Sequence, residues 1–142
     1  MKLSIGSDHA GFEMKEQIKN YLQLKGIVAY DRGTYSIEST DYPDYAHLVA
    51  IDVAEKISDF GILLCGSANG VCMTANKHKG VRAALCWTPE IASLARQHND
   101  ANIICIPARF VDATVAFKMI DTFLKTEFEG GRHQKRVEKI NV

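Results

Sequence analysis

At 142 residues the chain is long enough for one domain that buries roughly two thirds of its unfolded surface without staples. Lys plus Arg and Asp plus Glu balance at 17 each, so no global field draws it to nucleic acid or anionic lipid, and any anion site must be local. The opening MKLSIGSDHAGF meets charged and turn-forming residues too early for a signal-peptide core, and no apolar run approaches the roughly 20 residues that span a bilayer. A cytoplasmic protein with no nucleic-acid or membrane partner is expected.

In chain order, a β-rich run KLSIGS (2–7) comes first. Met14, Ile18, Tyr21 and Leu22 follow at helical spacing, with Gly26 where a C-terminal cap belongs. A second run, IVAYD (27–31), precedes an apolar stripe of Ala46, Val49, Ala50, Val53 and Ile57 that predicts another helix. The third run, FGILLC (60–65), ends in a loop of small residues that leads into a helix. VRAALC (81–86) is the fourth, and Pro89 then opens a helix where its missing N–H is harmless. NIICI (102–106) is the fifth, a helix follows over 112–125, and GRHQKRVEKI predicts one more. Strands alternating with helices imply an α/β fold: a single doubly wound, Rossmann-like domain over 1–142, with a five-stranded parallel sheet and helices on both faces.

Ligands of such sheets bind beyond the carboxyl ends of the strands, at a switch in strand order. Strand one ends in Asp8 and His9, and strand three in Cys65 followed by Gly66, Ser67, Ala68, Asn69 and Gly70. A 2-1-3-4-5 order brings these two ends into one crevice. Successive backbone N–H groups after Cys65 suit an anion or a developing oxyanion. Each residue also has a plain reading: Asp8 as a helix cap, His9 as structural, and Cys65 as a small hydrophobe. The four cysteines (65, 72, 86 and 105) form no C-x-x-C pair, and no His/Cys/Asp cluster has metal-ligand spacing. Cys86 and Cys105 read as buried reduced thiols. RQHNDAN (96–102) reads as a helix C-cap with Asn99 left-handed. Arg132 and Arg136, four apart with His133 beside them, make either a solvated basic face or a phosphate clamp.

Taken together, SDHAGF, TDYPDYA, CGSANG, ANK, RQHNDAN and EGGRHQKRV resemble the ribose-5-phosphate isomerase B family nearly end to end, in order and spacing. That family also holds galactose-6-phosphate isomerase subunits and allose-6-phosphate isomerases. The resemblance implies interconversion of ribose 5-phosphate and ribulose 5-phosphate with no metal or organic cofactor. It also implies a homodimer, or a dimer of such dimers, with sites at the subunit interface. Carried over by position, Cys65 matches the proton-abstracting base and His98 the residue that helps open the furanose ring. Asp8 matches a ligand of the ring oxygens. Gly66 to Gly70 match the anion hole over the enediolate, with Ser67 in the hydroxyl position and Asn99 as a further polar contact. His9, Arg109, Arg132 and Arg136 match the phosphate ligands. In family dimers His98 and Asn99 face the other chain's Cys65.

One subgroup uses a glutamate just after the second loop glycine; here that position is Val71. The clearest departure is Ala68, where the family often has glycine: at positive φ alanine costs about 1–2 kcal/mol, and at negative φ nothing. Isomerases of six-carbon sugars (allose 6-phosphate or galactose 6-phosphate) are the competing enzymes, and a flavodoxin-like module, yellow when purified, the competing binding protein. A cysteine phosphatase requires C-x5-R, and Val71 stands where its arginine belongs.

Overall fold

The computed structural model describes residues 1–142. Strand β1 (Leu3–Ser7) runs through a short 3-10 turn at His9–Gly11 into α1 (Phe12–Leu24), whose end is capped by Gly26 at φ +76°. Then come β2 (Ala29–Asp31), α2 (Tyr42–Ala54), β3 (Phe60–Cys65), α3 (Asn69–Ala75) and β4 (Ala83–Leu85). The chain closes with α4 (Pro89–Asn99), β5 (Ile103–Pro107), α5 (Ala113–Lys125) and α6 (Arg132–Glu138). Thr88 and Asp112 cap α4 and α5 by accepting from the amides of Ile91 and Val115. None of the helices is long and apolar enough to cross a membrane.

All five strands are parallel, in the order β2-β1-β3-β5-β4. The expected 2-1-3-4-5 order is therefore wrong at its far end. Burial explains the exchange: β5 is buried at every position, as a strand with two neighbours must be, whereas the three-residue β4 is half-buried and takes the edge. The pairing of β1 with β3, on which the predicted crevice depends, holds.

The sheet divides two apolar layers. On one side Leu3, Ile5, Ile62, Leu64, Ile104 and Ile106 pack under α1, α4 and α5; on the other Leu63, Cys65, Ile103 and Cys105 pack under α2 and α3. The period of two along β3 thus sends Cys65 to the α2–α3 side. Two helix readings shift at their ends. Ile57 lies beyond the last turn of α2 and is largely exposed, and the left-handed cap of α4 is Asp100 at φ +46° rather than Asn99. An aspartate tolerates that conformation because its short polar side chain bonds locally, here to Arg96.

Candidate active site

The carboxyl ends of β1 and β3 open into a cleft of about 280 Å³ lined by Asp8, His9, Ala10, Tyr42, Cys65, Gly66, Ser67, Gly70 and Arg109. Gly11 makes this convergence possible, since a Cβ there would lie 2.7 Å from that of Leu64. Asp8 accepts from the amides of Ala10 and Gly11 at 3.0 and 3.2 Å, so its plain reading as a cap is correct. Its buried carboxylate nevertheless lines the cleft as well. His9 Nδ1 accepts from the Thr40 amide at 3.2 Å, which leaves the proton of the neutral ring on Nε2. The turn after β5 is tied to the loop after β3: the Ala108 and Arg109 amides donate to the Cys65 and Gly66 carbonyls at 3.0 and 3.1 Å. That bracing sets the Arg109 guanidinium beside Gly66, within 3.1 Å of where a Cβ would stand.

The loop after Cys65 settles the two readings of Ala68. Its φ is +62° and it is fully buried, so alanine carries the conformational cost of about 1–2 kcal/mol. In return, the amides of Ala68, Gly70 and Val71 turn toward the Cys65 thiol. Asn69 is exposed and donates its side-chain amide to Ser67 Oγ.

Cys65 is only 6% exposed. Burial raises its pKa above the usual thiol value, and the Asp8 carboxylate adds to that, against the lowering from the three amides. The amides alone would hold a thiol low; in the free chain desolvation outweighs them. Cys86 and Cys105 are buried as expected, with Cys86 pushed up to about 12 by burial.

A second cluster stands apart from the first. Cys65 pairs with Pro107 at the carboxyl end of β5, whereas His98 and Asn99 precede its amino end. Ile103 to Pro107 is about 13 Å along the strand. Arg96, nearly buried, anchors that corner through the Ala101 carbonyl (2.6 Å), the Asp100 carboxylate (2.9 Å) and the Thr126 carbonyl (3.2 Å). His98 stacks on His133 with centroids 4.2 Å apart and planes 13° from parallel. Burial, then His98 and the charges of Arg132 and Arg136, lower the pKa of His133. Arg132 and Arg136 are themselves exposed. Asn99 faces a different groove, beside Asn76 and Arg82. One chain therefore assembles Asp8, His9, Cys65, the loop and Arg109, and separately His98, His133, Arg132 and Arg136.

Two features escape sequence reading. Tyr42 lines the cleft, and a Cβ on Gly70 would lie 2.3 Å from its ring. The signal was TDYPDYA: Pro43 marks a helix start, and helix starts lie at the same sheet edge as strand ends. Glu129 is the other, since its Oε2 lies 3.7 Å from His133 Nε2. With His98 these make a His/Glu/His group, where no cluster with metal-ligand spacing was expected. The pair 129 and 133 had helical spacing; residue 98 joins it only through the fold.

A family model described as Ribose/Galactose Isomerase matches residues 3–140. Ribose-5-phosphate isomerase B of Escherichia coli (strain K12) is 45% identical over 141 residues, covering 99% of this chain and 95% of that protein. The crystal structure of a ribose 5-phosphate isomerase from Thermotoga maritima superposes with a TM-score of 0.97 at 54% identity, covering 99% of this chain and 97% of that one. Ribose-5-phosphate isomerase B from Mycoplasma genitalium, solved with bound ribulose-5-phosphate, gives 0.94 at 47% identity, covering 98% and 93%.

Proposed function

This chain belongs to the ribose/galactose isomerase family and is a sugar-phosphate isomerase, and we propose that it interconverts D-ribose 5-phosphate and D-ribulose 5-phosphate through an enediolate, with Cys65 moving the proton. The observation that carries this reading is the Cys65 thiol facing the amides of Ala68, Gly70 and Val71 in a cleft that also holds Asp8, His9 and Arg109. Moving a proton between C1 and C2 of an α-hydroxy carbonyl needs a base on one face and charge stabilisation at the oxygen. The thiolate supplies the first and the loop amides, with Ser67, the second. Asp8 takes ring oxygens. His9, through its Nε2–H, and Arg109 take phosphate oxygens.

His98, Asn99, Arg132 and Arg136 complete the site from a second copy of the chain, because within one chain His98 lies at the opposite end of the sheet from Cys65. The working unit is a homodimer that needs no metal or organic cofactor. Turnover of ribose 5-phosphate compared with allose 6-phosphate and galactose 6-phosphate tests the substrate. The five-carbon sugar is expected to be preferred, and faster turnover of either six-carbon phosphate would overturn the choice.

Arg136→Ala is expected to weaken substrate binding by about 1.5–3 kcal/mol, the range for a hydrogen bond to a charged group. Inhibition by inorganic phosphate should weaken in parallel. An unchanged KM with unchanged phosphate inhibition would return Arg132 and Arg136 to an ordinary solvated face.

The raised thiol has a pH signature. Because Cys65 acts as thiolate and burial holds its pKa up, kcat/KM should climb with pH through neutrality. Asp8→Asn keeps the cap, since asparagine serves as well as aspartate there, but removes the neighbouring negative charge. The thiol pKa then falls and the ascending limb should move to lower pH, whatever happens to its height. The substrate phosphate, ionising at about pH 6, is common to both profiles. A limb that stays in place or moves to higher pH would contradict Cys65 as the titrating base.

A further inference from the structure

We propose that His98, Glu129 and His133 form a binding site for a transition-metal ion of zinc's class, and that its occupancy arrests the isomerase by withdrawing His98. The arrest rests on the ring-opening role assigned to His98 above; the site itself does not.

One ligand atom from each of the three residues lies within 4.8 Å of the others, and His133 Nε2 is already 3.7 Å from Glu129 Oε2. Three ligands at bond lengths of about 2.0–2.2 Å on a tetrahedral ion stand about 3.3 Å apart. Closure therefore asks the ligand atoms to approach one another by at most about 1.5 Å, with the stacked rings turning so that their in-plane lone pairs converge, and the exposed Glu129 is free to rotate.

The backbone beneath is fixed. His98 sits in the last turn of α4, held by the Arg96 anchor; the Glu129 amide donates to the Gln97 carbonyl at 3.1 Å; His133 is buried against His98. The two imidazoles are thus held face to face, with a carboxylate four residues before the second, just ahead of α6.

Two imidazoles and one carboxylate, with a fourth position left to water, suit zinc, cobalt or nickel. Magnesium and calcium seek all-oxygen shells and are disfavoured. Arg132 and Arg136 work against the ion, and Glu129 offsets only part of their charge. The site is accordingly one for a reversible inhibitor, not a resident cofactor. An imidazole whose lone pair is bound to a metal no longer accepts or relays a proton from the sugar, so turnover of cyclic ribose 5-phosphate stops, and that of the open ketose suffers less, while Cys65 stays intact.

The test uses the EDTA-dialysed protein, titrated with Zn2+ for activity and Co2+ for visible absorption, in the wild type, Glu129→Gln and His133→Gln. EDTA treatment alone should leave activity unchanged, and Zn2+ should inhibit reversibly. Glu129→Gln should keep basal activity and raise the Zn2+ needed for half-inhibition about tenfold or more, at least what losing a second-shell partner costs. Co2+ should give tetrahedral bands at one ion per chain, lost in His133→Gln; folding is checked by circular dichroism, and the exposed Glu129 variant gives the same test without touching a buried side chain. Loss of activity on EDTA treatment, restored by a divalent ion, would overturn both the inhibitory role and the cofactor-free reading. Equal Zn2+ inhibition in the wild type and Glu129→Gln, with cobalt–thiolate absorption that disappears in Cys65→Ala, would move the metal to Cys65 and overturn the proposal. Absence of any cobalt band would overturn the site and leave the isomerase reading standing. Cobalt bound at the cluster without inhibition would overturn the arrest, and with it the ring-opening role of His98.

Discussion

Replacing Cys65 by alanine is expected to abolish isomerisation in both directions while sugar-phosphate affinity stays within about tenfold, or 1.4 kcal/mol. General-base catalysis contributes about 10²–10⁴-fold, and the cleft holds no evident substitute. Asp8 already accepts two amide hydrogen bonds, His9 Nδ1 is engaged by the Thr40 amide, and residue 71 is valine. The loop donors are backbone groups and survive the substitution, so the bound sugar loses few of its contacts. Removing one buried sulfur from the α2–α3 layer leaves a void smaller than that of a Leu→Ala change, and the fold should persist. Progress curves with ribose 5-phosphate and ribulose 5-phosphate, calorimetry of binding, and a thermal melt make the comparison. More than a few per cent of turnover retained would mean that another base exists, Asp8 being the group to examine next.

The site was legible in sequence to the extent that local signals fixed it. An apolar run ending abruptly in Cys65 and small residues announces a strand end over an anion loop, whereas the close approach of Gly11 to Leu64 shows only in the fold. What was not legible depends on competition between long-range terms. The exchange of β4 and β5 turns on which strand is buried on both edges, and a three-residue AAL run carries little of that information. The direction of the Cys65 pKa is a balance of desolvation, three amides and Asp8, and spacing reveals the amides alone. Ala68 shows the same limit: residue type left its φ open, and the structure places it at +62°. The His98–Glu129–His133 group is formed by α4 meeting the start of α6 and the residues just before it, more than thirty positions later in the chain, so no motif scan finds it.

The separation of Cys65 from His98 leads to the second large effect. If His98 opens the ring, His98→Asn should cripple turnover of cyclic ribose 5-phosphate and spare ribulose 5-phosphate more, because that ketose does not close a furanose ring and arrives open. If a site is built from the Cys65 end of one chain and the His98 end of its partner, neither the Cys65→Ala nor the His98→Asn homodimer contains a complete site. Subunit exchange between the two changes this. A mixed dimer holds one site with both residues intact and one site carrying both lesions. Random exchange makes half the dimers mixed, so activity should recover toward about a quarter of wild type when the sites act independently. Native mass spectrometry establishes that exchange has occurred. Exchange without recovered activity would mean that Cys65 and His98 serve one chain's site, which the distance along β5 opposes: His98 precedes Ile103 at one end of the strand, and Cys65 pairs with Pro107 at the other.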